Sequence, residues 1–163
     1  MHLTRLDIIG FKSFADKTVL AFDKNITAIV GPNGSGKSNI ADSLRWVLGE
    51  QSMKNLRGKK AEDIIFNGSK NKRRLGLVRV EITLDNTDGR GALEYPEIVI
   101  SREMDRTGES TYRLNGHTVN LSDIVMFLAK SHFGQKSYAI IGQGMIDRIV
   151  NATPESRKDF FDE

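Results

Sequence analysis

The stretch TAIVGPNGSGKSNIADSLRWVLGE, residues 27–50, governs how the rest of the chain is read. Residues 26–30 form a short apolar run that ends at Gly31, the pattern of a buried strand feeding a loop. Gly31, Pro32, Asn33, Gly34, Ser35, Gly36, Lys37 and Ser38 then satisfy G-x-x-x-x-G-K-[ST]. Residues 39–48 continue as a helix, with Ile40, Leu44, Val47 and Leu48 at helical spacing and Gly49 as its stop. Glycines allow the backbone to curl until successive N–H groups face phosphate oxygens. Lys37 adds a point charge near the β- and γ-phosphates of a nucleotide, Ser38 offers a hydroxyl to Mg2+, and the helix start contributes its dipole.

Hydrolysis requires more than a cradle. The metal and the attacking water usually depend on an acid at the end of a second buried strand. No run of four apolar residues followed by Asp-Glu occurs. Residues 81–85, EITLD, come nearest, but their alternation reads as a half-exposed antiparallel strand; residues 97–101, EIVIS, lack the acid. The sequence therefore offers a phosphate site without a convincing catalytic carboxylate.

The remaining composition is ordinary. With 163 residues, 39% hydrophobic and 28% charged, the chain fits one domain with a real core. It has no Cys, which excludes disulfides, thiolate zinc sites and Cys nucleophiles. His2, His117 and His132 show no metal-ligand spacing, and Trp46 reads as core packing. The N-terminus lacks a signal-peptide core, and the apolar run at 124–129 is too short to span a bilayer, so the reading is a soluble intracellular protein. Net charge is only +3. Locally, Lys54, Arg57, Lys59, Lys60, Lys70, Lys72, Arg73 and Arg74 face only Glu62 and Asp63, a basic stretch that suits nucleic acid or, equally, a solvated loop.

Residues 3–9 and 19–22 read as two strands. Residues 77–84, 98–102 and 111–114 alternate and are separated by turn signals at 86–89 and 106–108, the pattern of an antiparallel meander. Ser122 is the expected cap of a helix reaching about His132, with Asp123 at its positive end. Residues 138–141 read as a short strand entering Gly142-Gln143-Gly144. Thr153-Pro154-Glu155 starts another helix, and the sequence ends soon after, as expected of a segment of a longer protein.

Six stretches together resemble the head domain of the SMC (structural maintenance of chromosomes) proteins, ABC-type ATPases. They are IGFKSF at 9–14, GPNGSGKSN at 31–39, RWVLGEQS at 45–52, LRG at 56–58, DIIFNGS at 63–69 and YAIIGQG at 138–144. The likeness covers essentially the whole chain and is nearest to the single SMC of bacteria and archaea. It implies an α/β fold: half of an ABC-type P-loop head, a mixed sheet with an antiparallel meander and flanking helices. Residues 1–152 would be the N-terminal lobe and 153–163 the start of a coiled-coil neck. The signature motif and acidic strand would come from the C-terminal half of the head, and no Leu-Ser-Gly-Gly occurs here.

Carried over by position, the resemblance assigns ATP phosphates to Pro32, Asn33, Gly34, Ser35, Gly36, Lys37, Ser38 and Asn39, with Mg2+ on Ser38 and Gln143. Lys12 and Ser13 would lie against base and ribose, and Asp63 would border that pocket. Arg57 would reach toward the phosphates and couple hydrolysis to DNA, a task suited to a permanently charged fork. Asn120 and Ser122 stand where many relatives carry basic residues, which leaves Lys59 and Lys60 as the candidates for sequence-independent contact with DNA. The implied partners are a second head, DNA and a kleisin-type bridging subunit, with no membrane and a cytoplasmic, nucleoid-associated location. Two other readings are a repair ATPase of the same superfamily, against which IGFKSF and GEQS argue, and a nucleotide-dependent interaction module that does not hydrolyse.

Overall fold

The computed structural model describes residues 1–23, 26–89, 91–131 and 133. Its centre is a six-stranded sheet in the order β2-β1-β3-β4-β5-β6, built from β1 (His2–Ile9), β2 (Thr18–Ala21), β3 (Leu77–Asp85), β4 (Glu97–Asp105), β5 (Ser110–Leu114) and β6 (His117–Val119). Every neighbouring pair is antiparallel. The alternation expected at 77–84 is borne out: Val78, Val80, Ile82 and Leu84 are fully buried, and the residues between them face outward or sideways. Leu6 and Ile8 of β1 and Ile98 and Ile100 of β4 extend that apolar row across the sheet.

Two helices cover this face. Helix α1 (Lys37–Val47) lies over β3 and β4 and buries Ile40, Trp46 and Val47. Helix α2 (Leu121–Lys130) packs against β5 through a buried set of Ile124, Phe127 and Leu128. Its cap is Asn120 rather than Ser122, because the Asp123 carboxylate reaches back to accept the Asn120 N–H at 2.9 Å. Either residue is a good cap former, and position relative to the acid decides between them. The helix ends at Lys130, two residues short of the expected His132, which lies outside the described residues.

A charge sits in the apolar row. Arg102 of β4 is 3% exposed, with its guanidinium between the Trp46 and Tyr112 rings at 4.4 and 4.9 Å. Its Nη1 donates to the Trp46 and Glu50 carbonyls, both at 3.0 Å, satisfying acceptors at and beyond the C-terminal end of α1. Burial pushes its pKa below the usual arginine value. The contact ties the C-terminal end of α1 to the sheet.

The expectation of a buried strand at 26–30 is not met. Those residues form no strand, and Ile26 and Val30 are 98% and 87% exposed. A strand is a paired object, and none of the described strands pairs with this one. The segment expected at 138–144 and the helix start at 153–155 lie outside the described residues.

Candidate nucleotide-binding site

The phosphate loop passes from 31 to 36 and turns into α1 through Gly36, whose φ of +94° makes it a left-handed N-cap; Gly34 has φ +83°. A Cβ on Gly36 would stand 3.0 Å from Ser13 Oγ and 3.7 Å from Phe14 Cζ, so the loop closes against the turn after β1. Lys37 Nζ folds back and donates to the Gly31 and Pro32 carbonyls at 2.6 and 2.8 Å. No side chain caps the start of α1 and no acid lies in its first turn, in contrast to α2 with Asp123. The first N–H groups of α1 and its positive end are thus left for an anion at the loop. Ser38 is exposed in that first turn.

The turn IGFKSF is shaped by two constraints. At Gly10, φ is +71° and a Cβ would lie 2.4 Å from the Leu77 carbonyl oxygen, so the backbone crosses β3 where only glycine fits. Phe11 is fully buried against Trp46, ring centroids 5.7 Å apart, and bridges to Ile65. The residues between this anchor and Phe14 are Lys12 and Ser13, held over the N-terminal half of α1.

Ser13 stands beside the loop, where its Oγ accepts from Asn39 Nδ2 at 2.8 Å. Lys12 is tied inward. Its Nζ donates to Asp42 Oδ2 at 2.5 Å and to the Leu56 carbonyl, and its side chain is mostly buried. Arg57 comes to the same carboxylate, with Nε and Nη2 at 3.0 and 2.7 Å from Asp42 Oδ2, and its Nη2 also donates to Asn39 Oδ1 at 3.2 Å. Arg45 Nη1 stands 3.6 Å from the other oxygen, Oδ1. Asn39 and Asp42 share a face of α1 because they are three residues apart. The result is one connected network from Ser13 through Asn39 and Arg57 to Asp42 and Lys12, directly beneath the phosphate loop. Asp42 was not among the expected site residues.

Asp63 is committed locally: its Oδ2 accepts the Lys59 and Lys60 N–H groups at 2.8 and 2.9 Å. These bonds hold its carboxyl below the usual carboxylate range. Lys59 and Lys60 are thereby displayed on an exposed turn before the short 3-10 turn Ala61–Ile64. Farther along the basic stretch, Ser69 N–H bonds the Lys72 carbonyl at 2.9 Å and Leu75 N–H the Phe66 carbonyl at 3.1 Å, closing a hairpin-like loop. Lys70, Arg73 and Arg74 on it are exposed, while Lys72 pairs with Asp16. Gln143 lies outside the described residues. Asp85, the acid of EITLD, accepts from Thr87 N–H at 2.8 Å and so serves the turn after β3. Among the described residues no group of three His, Cys, Asp or Glu could hold a metal ion, and no helix is long and apolar enough to cross a membrane.

The model of the RecF/RecN/SMC N-terminal domain matches residues 2–138. The chromosome partition protein Smc of Clostridium kluyveri is 51% identical over all 163 residues, which span only 14% of that relative's length. An SMC head solved in complex with the C-winged helix domain of ScpA superposes with a TM-score of 0.95 at 37% identity, over 99% of this chain and 50% of that one. A structure from work on ATP-driven dimerization and DNA stimulated activation of SMC ATPases gives 0.93 at 36% identity, covering 99% and 98% of the two chains.

Proposed function

The chain belongs to the RecF/RecN/SMC N-terminal domain family, and on that premise we propose that it is the ATP-binding N-terminal part of an SMC ATPase head. The observation that carries this reading is the uncapped start of α1 behind a loop whose glycines take left-handed φ and whose Lys37 covers the cradle. Those groups fit a triphosphate: backbone donors, a helix dipole and a mobile ammonium converge on one side of the loop. Lys37 would exchange its two loop carbonyls for β- and γ-phosphate oxygens. The Ser38 hydroxyl, with Gln143, would hold Mg2+, which when bound neutralises phosphate charge during in-line attack by water.

The exposed apolar segment at 26–30 supports a second part of the reading. It receives strands from the C-terminal half of the same head, which also supplies the acidic residue missing here. Each complete site then pairs this loop with the signature motif of a second head, and binding energy from two ATP molecules closes the dimer. Residues 1–152 form the lobe and 153–163 begin the neck, and the whole protein takes a kleisin-type subunit, as the similar head is bound to the C-winged helix domain of ScpA. Lys59 and Lys60 contact DNA phosphates without reading sequence. The whole protein works in chromosome organisation, condensation and segregation at the nucleoid, in the cytoplasm.

Titration calorimetry of the full-length protein with ATP and Mg2+ tests the loop assignment. Lys37→Ala is expected to weaken ATP binding by about 2 kcal/mol or more, the value of a charge-assisted phosphate contact. Unchanged affinity would remove the loop from the account.

A further inference from the structure

Asp42 is 1% exposed and sits on α1 one turn past the phosphate loop, facing three cations: Lys12, Arg57 and Arg45. Two of them arrive in the same unusual way. Lys12 has φ +50° and Arg57 has φ +53°, and the only other non-glycine residue with positive φ among the described residues is Asn115, in a hairpin turn. A left-handed backbone at a long side chain costs on the order of 1 kcal/mol and persists where the surroundings impose it. Here the two strained residues lie in separate loops, and Lys12 also bonds the carbonyl of Leu56, 44 residues on and next to Arg57. Both turn their charge onto a single oxygen, Asp42 Oδ2.

The Arg57 guanidinium is thereby fixed through Nε and Nη2 to Asp42 and through Nη2 to Asn39, which closes the first turn onto Gly36 through its own N–H. Half of the Arg57 side chain stays open to solvent. Two cations, Lys12 and Arg57, share this one carboxylate, so the arrangement can accept a further anion without losing its anchor.

We propose that Asp42 is the positioning residue for Arg57: its buried carboxylate holds the guanidinium against α1, aimed along Asn39 at the phosphate loop. Lys12 completes the clamp by tying the turn after β1 and the Leu56 carbonyl to the same oxygen. The inference rests on the reading of Arg57 as a group that acts on the nucleotide phosphates. Asp42 itself touches no substrate; it acts through the arginine.

The test uses the full-length protein, with ATP affinity from a fluorescent-analogue titration and turnover at saturating ATP with DNA present. Arg57→Ala is measured first. If its turnover equals that of the unaltered protein, the reading of Arg57 fails and takes this proposal with it. Given a fall, Asp42→Asn is expected to lower kcat by a similar factor, about tenfold or more, because misplacing a positioned group carries such a cost. ATP affinity should stay within about threefold, a split that separates positioning from loss of the loop. The double variant Asp42→Asn with Arg57→Ala should be no slower than either single variant. Losses that multiply, an unchanged kcat in Asp42→Asn, or an affinity loss matching Lys37→Ala overturns the proposal. Asp42→Asn strands buried charge, so it is also made together with Lys12→Met and compared with Lys12→Met alone. The same fall in kcat supports the proposal, and full turnover overturns it.

Discussion

Lys12 and Arg57 show what residue-level reading can and cannot reach. Their motifs, GFKSF and LRG, are legible in the sequence. Their direction is not, because it depends on a left-handed φ at each and on Asp42, a lone acid on a helix that no local pattern distinguishes from a solvated one. The only local hint is spacing, since Asp42 falls three residues after Asn39 and three before Arg45. Asp63 makes a complementary case. Its carboxylate accepts two N–H bonds and shapes the turn that shows Lys59 and Lys60 to solvent. The Lys60 and Lys59 N–H bonds lower its pKa, so its contribution to the turn is complete above the ordinary carboxylate value and is lost as pH falls through the depressed one. A carboxyl-detected NMR titration should place the Asp63 midpoint below that of Asp in an unfolded peptide. A midpoint at or above the peptide value contradicts the turn geometry.

Elements were read well where pattern and partner lie in the same stretch of chain. The strands of the meander and α1 follow from alternation and helical spacing, within a residue or a few at each end. Strand β6 was missed although Asn115-Gly116, both at positive φ, is a strong hairpin signal. Residues 26–30 went the other way. Their composition is that of a buried strand, but composition states what a segment would bury and not whether a neighbour is present. Arg102 was likewise unmarked, being one charge in an otherwise apolar row. Replacing it by Met keeps the bulk but removes the Arg102 donor from the Glu50 carbonyl and one of two donors from the Trp46 carbonyl, which keeps the Gly49 N–H. Arg102→Met should therefore destabilise the fold by about 1–3 kcal/mol in urea titration, the cost of one stranded buried acceptor. Arg102→Lys should recover only part of this, since an ammonium can reach the carbonyls but has no planar group to lie between the two rings and no second nitrogen for the Ser110 hydroxyl. Stability unaffected by either change would show that α1 is not held to the sheet at this point.

At the scale of the whole molecule, the six motifs that carry the resemblance to SMC heads are scattered over the sequence, and those within the described residues gather around the start and end of α1. Gly10 and Phe11 set the turn, Leu56 and Ile64 bury beneath it, and Trp46 receives both Phe11 and Arg102. That convergence was visible in the sequence only as a resemblance; the packing gives it a physical cause. What the described chain holds is a phosphate cradle with an arginine clamp beside it, an unpaired apolar segment leading into it, and no acid placed to complete it. Nucleotide binding and nucleotide hydrolysis are therefore expected to separate in this molecule. The most direct measurement is steady-state ATP turnover by the purified 163-residue chain, alone and after addition of the C-terminal half of its head. Turnover indistinguishable from background for the chain alone, rising on addition of the other half, is the predicted result. Sustained hydrolysis by the chain alone would contradict it.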